Sequence, residues 1–529
     1  MRFISLIILS LFGSVVAPCV AQSAALERGV AVTDPLALRE LDNREILVPG
    51  LDNTGFGLGR ILDRKTRLRP FMSNAELFSL PSMWSVRKVL DAEFDRYIAM
   101  HRARSTNESI GVGASFDVQL FDRSVFDSDE ARFVLAGIIS RIDRAYVSPE
   151  SCGEIRLIYR LVRTRPVESD QGITLPRLPM TLNVVLKANS ERMKTADGVA
   201  LACSEIARRW LATANWPQTG ERLAIELMSP GGPLELAKLA GIDRIETNLQ
   251  IAHAPKSAVR EFRTDYLLKL FRYNPRTHAF EEGPLENQID RDRILADDNL
   301  KREFRTWLLD PKNFSEFDRG TVLIPEKFLA KGAIAATPVG LASSNLQPAF
   351  GFVQADGYGN EVFGESEVVA ALKKASDSGI AMQNIQSVAG FERRLNDMTC
   401  SGCHQTRGIG GFHFPGVDWM AAKPSNSAVV PASLHFFGDQ IRRRDILTSI
   451  SNGAPPDFSR GFSDRPQLRG STELAGTEYD DGWGARCYQQ KAAARDNDKS
   501  FRAWTCADGL ACQSVESGSR IGMCFVKSR

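Results

Sequence analysis

Residues 155–162 read IRLIYRLV and residues 178–186 read LPMTLNVVL, and these two runs decide what kind of fold the chain forms. Both are short and rich in branched and aromatic side chains, which is typical of β-strands. Two later segments alternate apolar and polar residues in a similar way. The sequence therefore predicts strands at Ile155–Val162, Leu178–Leu186, Arg244–Ala252 and Tyr266–Tyr273.

Other stretches repeat their apolar residues with the 3.6-residue period of a helix. The clearest is residues 83–102, where Val86, Leu90 and Phe94 lie on one side. The remaining predicted helices are Asp197–Ala214, Arg291–Leu309, Glu365–Ala375, Ile385–Met398 and Ser433–Ser449. The mixture predicts an α+β fold, with a large region at residues 22–380 that is long enough for one or two domains.

A five-residue motif stands outside this pattern, at Cys400-Ser401-Gly402-Cys403-His404. Two thiols three positions apart can add to the two vinyl groups of one porphyrin, and the adjacent imidazole can bind its iron. The motif resembles the haem-attachment motif of c-type cytochromes. The resemblance implies one covalent haem c on Cys400 and Cys403, with His404 as the proximal iron ligand.

The surroundings of the motif extend the resemblance to residues 381–452. A predicted helix precedes the motif, a glycine-rich loop at residues 408–416 follows it, and a second predicted helix closes the segment. This order resembles a reduced class I cytochrome core. It departs from that family in being compact, without a methionine far downstream beyond a further helix.

The sixth ligand of the iron has two candidates, Met420 and His435. Both have enough connecting chain to reach the distal side of a porphyrin, whereas His413 lies in a tight loop close to the proximal ligand. Methionine would give a high reduction potential and histidine a lower one. Water or an open site for a small ligand is a third alternative.

Other chemistry at the motif is disfavoured by its context. A zinc site needs a second Cys or His pair at similar spacing, and the chain has none. A thioredoxin-like redox pair follows a strand, whereas a helical segment precedes this motif. The chain also lacks the signatures of serine hydrolases, zinc proteases and P-loop enzymes.

The N-terminus has the pattern of a secretory signal over residues 1–21. A positive start is followed by the apolar stretch Phe3–Ala17 and by Cys19-Val20-Ala21 as a small-residue cleavage site. A lipid anchor on Cys19 is disfavoured because Pro18 stands where that signal needs a small residue. No later stretch is apolar enough to cross a membrane. Because of the signal pattern, we expect an exported protein, either periplasmic or extracellular.

Cysteine usage agrees with export. Of the nine cysteines, removing Cys19 and the motif pair leaves six. An even number in an oxidising compartment predicts disulfides. Cys152 and Cys203 are expected to pair, closing a loop of roughly fifty residues in the large N-terminal region.

The other four cysteines crowd a short module at residues 485–529, after a Gly/Pro/Ser-rich linker at residues 453–484. They are Cys487, Cys506, Cys512 and Cys524. They are expected to pair among themselves, because the module has too few apolar residues for a core of its own. Three connectivities are open, and the interleaved one, Cys487–Cys512 with Cys506–Cys524, is preferred.

Charge adds little. The chain of 529 residues has a net charge of +2 and no basic block, so it offers no electrostatic footprint for nucleic acid. The run Arg442-Arg443-Arg444 is interpreted as a solvated helix face, with haem propionates or an acidic redox partner as the alternative.

These features together predict an exported mono-haem cytochrome-like protein that transfers electrons to an unidentified redox partner. The balance is against an enzyme, because di-haem peroxidases, which share only the motif, need a second CxxCH. One alternative is a secreted, disulfide-stabilised binding or surface protein without haem. Another is a haem enzyme with an open iron site.

Overall fold

The computed structural model describes most of the chain. The described residues are 28–43, 55–62, 72–104, 107–148, 151–165, 167–169, 172–174, 177–189, 201–235, 241–254, 263–338, 353–354, 362–400, 434–460, 486–489, 498–502, 504–513 and 521–526. The predicted signal at residues 1–21, with Cys19, lies outside them. Most of the predicted linker at residues 453–484 lies outside them as well.

Long strands lie mainly in the first 340 residues. The strands are β1 (Ala31–Val32), β2 (Ile110–Val112), β3 (Val118–Leu120), β4 (Ala131–Arg141), β5 (Ser151–Arg163), β6 (Val167–Ser169), β7 (Gly172–Thr174), β8 (Arg177–Asn189), β9 (Ile242–Ala254), β10 (Arg263–Asn274), β11 (Ala279–Gly283), β12 (Gly332–Pro338), β13 (Val353–Gln354), β14 (Phe363–Gly364), β15 (Arg486–Tyr488), β16 (Leu510–Gln513) and β17 (Ile521–Val526). The four predicted strands are β5, β8, β9 and β10, so the strand prediction is confirmed.

Helices precede, interrupt and follow the strands. They are α1 (Pro35–Asn43), α2 (Leu58–Leu62), α3 (Asn74–Ser79), α4 (Trp84–Arg104), α5 (Cys203–Ala212), α6 (Gly220–Met228), α7 (Arg291–Ala296), α8 (Asp298–Leu308), α9 (Pro311–Arg319), α10 (Glu365–Asp377), α11 (Val388–Met398) and α12 (Leu434–Ser451). The α+β class predicted from the sequence is confirmed. None of the described helices is long and apolar enough to span a membrane.

One predicted helix is in fact two. The segment Arg291–Leu309 breaks at Asp297, whose carboxylate accepts hydrogen bonds from the backbone N–H groups of Asn299 and Leu300. An aspartate in this position satisfies N–H groups that have no partner inside the helix, so it begins α8 and ends α7.

The centre of the fold is one sheet that contains ten of the described strands. Its main order is β1-β4-β5-β8-β9-β10-β11, and neighbouring strands along this path are antiparallel. Strand β12 pairs with the first half of β10, and β3 pairs with the end of β9. The long strands β5, β8, β9 and β10 therefore lie side by side and display two continuous faces.

The first face, which we call the apolar face, builds the main hydrophobic core. In β5 it carries Ile155, Leu157, Tyr159 and Leu161 at alternate positions, all almost fully buried. Helices α1, α4, α5 and α6 cover this face with their own apolar sides. Alternation of period two thus puts one set of side chains into the core and turns the other set to the opposite face.

The disulfide Cys152–Cys203 is present and ties the start of β5 to the first residue of α5. The prediction of this bridge is confirmed. Both cysteines belong to the main hydrophobic cluster or pack against it, so the bridge fastens a covering helix to the apolar face.

Helices α7 to α11 form a second hydrophobic cluster over residues 289–398. Phe391 of α11 lies at its centre, with ring centroids 5.2 Å from Phe363 and 5.4 Å from Phe317. The helix that leads to the predicted haem motif therefore packs with the segment before it, and the boundary expected at residue 380 falls inside this cluster.

Helix α12 packs elsewhere. It lies against α5 and against a 3₁₀ turn at Ile142–Val147, and its Leu447 belongs to the main core. The two helices expected to flank the haem motif, α11 and α12, thus belong to different hydrophobic clusters.

The C-terminal module contains the small sheet β15-β17-β16 and two disulfides, Cys487–Cys512 and Cys506–Cys524. This is the interleaved pairing that the sequence favoured, and it is confirmed.

The module docks on the N-terminus of α11. Ser387, the residue before the helix, accepts the N–H of Gly390 at 2.9 Å and donates to Asp498 at 2.8 Å. Ser500 accepts the N–H of Gln386 at 2.9 Å. The module therefore completes the cap of the helix that leads to Cys400.

Candidate functional site

Cys400 follows α11 and lies against the central sheet. Its side chain packs with apolar residues of β10, β12 and the loop after β11, and only 8% of the residue is exposed. These neighbours are Leu268, Leu270, Leu285, Ala333 and Ala335. The thiol donates a long hydrogen bond, 3.9 Å, to the backbone carbonyl of Glu286. The first cysteine of the motif is thus held on an apolar wall of the sheet.

Burial also sets the protonation of this thiol. Burial raises the pKa of Cys400 to about 12, and the negative charges of Glu246 and Glu286 add to the effect. A thiol with such a pKa stays protonated at neutral pH and is a poor nucleophile. This is opposite to the lowered pKa of a disulfide-exchanging cysteine.

The other predicted site residues are only partly covered by the structure. Cys403, His404 and Met420 lie outside the described residues. His435 lies in the first turn of α12, and its side chain is outside the described set. Cys400 is the free cysteine among the described residues, since the other six described cysteines form the three disulfides.

Three cysteine sulfurs of the C-terminal module approach one another within 4.8 Å, those of Cys487, Cys506 and Cys524. All three belong to disulfides. A metal ion needs free thiolates as ligands. These three sulfurs are close together because two disulfides lie side by side, and they do not form a cation site.

The second face of the sheet, which we call the charged face, is unlike the first. Charged residues at alternate positions of β5 and β9, with partners from nearby turns and from α12, form a buried ionic network. Its members are Arg141, Asp143, Arg144, Glu154, Arg156, Arg244, Glu246, Glu286, Asp439, Arg442 and Arg443. None of the site residues predicted from the sequence belongs to this network.

Glu154 is the centre of the half that lies on the sheet. Its carboxylate accepts from Arg244 at 3.0 Å and from Arg156 at 2.8 Å, and it pairs with Arg144 at 3.1 Å. Burial alone would raise the pKa of Glu154, but these arginines hold it well below its usual range. One carboxylate therefore neutralises part of the charge of three guanidinium groups.

Glu246 on β9 extends the network across the sheet. It accepts from Arg244 at 2.8 Å, from Arg156 at 3.2 Å and from the amide of Asn183 at 2.7 Å. Asn183 and Glu246 are directly opposite each other in the β8–β9 pairing. The strand register thus brings these groups together.

The other half of the network joins the sheet to α12. Asp143 accepts from Arg141 at 2.8 Å and from Arg442 at 2.9 Å. Asp439 accepts from Arg442 at 2.7 Å and from Arg443 at 2.6 Å. The interpretation of residues 442–444 as a solvated helix face is therefore wrong for Arg442 and Arg443, whose side chains are 19% and 4% exposed.

Arg443 is the least compensated cation of this half. Burial lowers its pKa to about 10, and the nearby charge of Arg141 adds to the effect. By contrast, Asp439 and Asp143 outweigh the effect of burial at Arg442 and raise the pKa of Arg442 above its usual value.

The network adjoins the motif through Glu286. The backbone carbonyl of Glu286 contacts the thiol of Cys400, and its carboxylate accepts from Arg144. The apolar wall around Cys400 and the ionic network are therefore neighbouring parts of one site.

A sequence signal for the network exists. The pairs Glu154/Arg156 and Arg244/Glu246 place charges two residues apart within strands whose other residues are largely apolar. Two residues apart on a strand means the same face, so such charges can meet those of a neighbouring strand.

Comparisons with known proteins do not extend this site. No protein-family model, no curated protein and no solved structure matches the chain.

Proposed function

We propose that the protein is an exported mono-haem protein similar to c-type cytochromes, which transfers electrons outside the cytoplasm. The haem is attached through Cys400 and Cys403, and His404 is the proximal iron ligand. The observation that carries the proposal is Cys400, the free cysteine of the described residues, which stands in a CxxCH motif on an apolar wall.

The surroundings of Cys400 suit a porphyrin. The ring is apolar over most of its area and needs apolar contacts, which Leu268, Leu285 and Ala335 offer beside the thiol. The charged edge of the ring carries carboxylates, and the neighbouring ionic network is rich in arginine. Both kinds of surface lie next to the cysteine that anchors the group.

A bound haem supplies one-electron redox chemistry at its iron. The chain's own part is to anchor the ring, to keep water from its edge and to occupy the sixth iron position. Met420 or His435 is the candidate for that position, and a protein ligand there favours electron transfer over binding of a substrate to the iron.

Export is supported by the three disulfides. Such bonds form and persist in oxidising compartments, the periplasm and the cell exterior among them. They agree with the N-terminal signal pattern, and under this proposal the redox partner lies outside the cytoplasm as well.

The proposal is tested by looking for haem that is covalently bound to the protein. The protein, expressed with its signal in a bacterial host that has haem-ligation machinery, should give a band on a denaturing gel stained for haem peroxidase activity. Cys400→Ala/Cys403→Ala should remove the band, whereas the matched pair Cys506→Ala/Cys524→Ala should keep it. An unstained wild-type band from that host would refute the proposal.

A second candidate is a secreted, disulfide-stabilised binding or surface protein without haem. It is favoured by the pKa of Cys400, because a buried protonated thiol is also what a structural cysteine needs. The same host decides between the two: unmodified thiols at both motif positions would establish the second. Rapid carbon monoxide binding to a ferrous haem protein would instead establish an open iron site.

A further inference from the structure

Three guanidinium groups of the ionic network have a buried nitrogen without a hydrogen-bond partner among the described residues, and two of the three lie on α12. The third, Nε of Arg144, still faces the carboxylate of Glu154 at 3.1 Å. The two on α12 are Nη1 of Arg442 and Nη1 of Arg443, which are buried and have no hydrogen-bond partner in the part of the chain that the structure describes. Their other nitrogens bind Asp143 and Asp439. A buried N–H without an acceptor loses its hydration and gains nothing in return, so each points to an acceptor that a bound group would supply.

The charges of the network point the same way. Among the described residues it contains six arginines and five carboxylates. Asp243 also contacts Arg244, but it is shared with Lys187. Counted over these described groups, the network is therefore one negative charge short, and the lowered pKa of Arg443 places the deficit at α12.

We propose that Arg442 and Arg443 form a binding site for one carboxylate group. A guanidinium presents N–H groups in a planar fork that matches a carboxylate, and two adjacent guanidinium groups can hold both of its oxygens. The carboxylate comes either from the propionate edge of the haem or from a free carboxylate anion. Only the haem source rests on the function proposed above.

The haem source is supported by the continuity of the site. Cys400 contacts Glu286, Glu286 binds Arg144, and Arg144 and Arg141 both lie close to Glu154. Arg141 in turn shares Asp143 with Arg442. The ring anchored at Cys400 and the carboxylate bound at α12 would thus occupy one connected site.

The first arm of the test uses the haem-loaded protein. Arg443→Met should shift the propionate bending mode in the resonance Raman spectrum and lower the reduction potential, because a cation beside the ring is lost. Arg443→Lys keeps the charge and should therefore keep the potential closer to wild type while still shifting the mode. Arg208→Gln removes an arginine that is 66% exposed on α5 and should change neither.

The second arm uses haem-free protein, the Cys400→Ala/Cys403→Ala variant. Succinate is the probe, with sodium chloride at equal ionic strength as its control. If a free carboxylate fills the site, succinate raises the melting temperature, and adding Arg443→Met removes that rise. Arg443→Gln/Asp439→Asn provides a charge-balanced variant if Arg443→Met does not fold.

The outcomes separate the two proposals. A response in either arm supports the carboxylate site and identifies its source. No Raman shift in the first arm together with no succinate response in the second overturns it. Wild-type protein without haem refutes the proposed function and leaves the second arm to decide the site alone.

Discussion

The two faces of the central sheet are formed by the same strands, but one face buries apolar side chains and the other buries charged ones. Leu157 of β5 faces the main core, and Arg156 beside it faces the ionic network; both are buried. Burying the leucine stabilises the fold by about 1.5–3 kcal/mol. Burying the arginine costs several kcal/mol in lost hydration, which its ion pairs offset only when their geometry is good.

Only one of the two faces needs an explanation beyond folding. An apolar face is explained by folding alone. A largely buried network of eleven charged groups, of which Glu286 is 35% exposed, is weak evidence for stability, because apolar residues of similar volume often serve as well or better. The charged face therefore needs a reason besides stability, and the carboxylate site proposed above would supply one.

The largest expected loss of stability comes from removing the carboxylate at the centre of the ionic network. Glu154→Leu leaves Arg144, Arg156 and Arg244 without their shared carboxylate and should lower the free energy of unfolding by about 3–5 kcal/mol. Urea unfolding measures it. The double variant Glu154→Leu/Arg156→Met should recover part of the loss, since it removes one of the stranded cations.

Leu157→Ala is the matched change on the apolar face, with an expected loss of about 2–5 kcal/mol from the cavity. Adding Arg156→Met to it should recover nothing. If Glu154→Leu costs less than about 1 kcal/mol, the contrast between the faces is not electrostatic.

The second prediction compares how two buried aspartates make the stability of the protein depend on pH. Asp42 of α1 lies on the apolar side, where burial raises its pKa to about 6 despite Arg132 and the N–H of Leu135. Its folded pKa exceeds the unfolded value of about 3.9, so stability is lost as the pH rises from about 4 through 6. Asp42→Asn should therefore stabilise the protein at pH 7, by about 1–2 kcal/mol.

Asp439 of α12 shows the opposite sign. Burial opposes ionisation, but Arg442 and Arg443 lower its pKa to about 2. The stabilisation that the ionised carboxylate of Asp439 contributes is fully present above about pH 4 and is lost as the pH falls through 2. Asp439→Asn should therefore destabilise at pH 7 and flatten the acid limb. Urea unfolding from pH 2 to 8 measures both variants, and equal signs for the two would contradict the comparison.

The smallest effect concerns a charge that belongs to neither face. Arg208 pairs with Glu205 on the exposed side of α5. Arg208→Gln should change the free energy of unfolding by at most about 0.5 kcal/mol, because water screens exposed ion pairs. A larger loss in urea would mean that burial is not what separates the strong ion pairs from the weak.

Much of the fold follows from local patterns. Alternation in residues 155–162 and 178–186 predicts β5 and β8. Cysteine usage predicts the bridge Cys152–Cys203 and favours, among three open connectivities, the interleaved pairing of the other four cysteines. The break in residues 291–309 does not follow from the helical spacing of the apolar residues; it follows from Asp297, because an aspartate in that place can cap a helix.

The site was predictable only in part. The CxxCH motif marks Cys400 from the sequence alone. The charges two residues apart in β5 and β9 indicate the ionic network only in outline, because Glu246 meets Asn183 and Arg156 through the register of three antiparallel strands. Register depends on turns and on the whole hydrophobic pattern. Charged residues read singly are assigned to the surface, which is how Arg443 was misplaced.

The cap of α11 has a consequence for the order of events during synthesis. The Asp498 carboxylate that holds Ser387 comes 111 residues later in the chain. Until that segment has been synthesised, the helix beginning at Val388 lacks this support. Cys400 follows this helix, so its final position is reached only after nearly the whole chain has been made. Under the function proposed above, that interval is the time available for attaching the haem to a thiol that the finished protein buries.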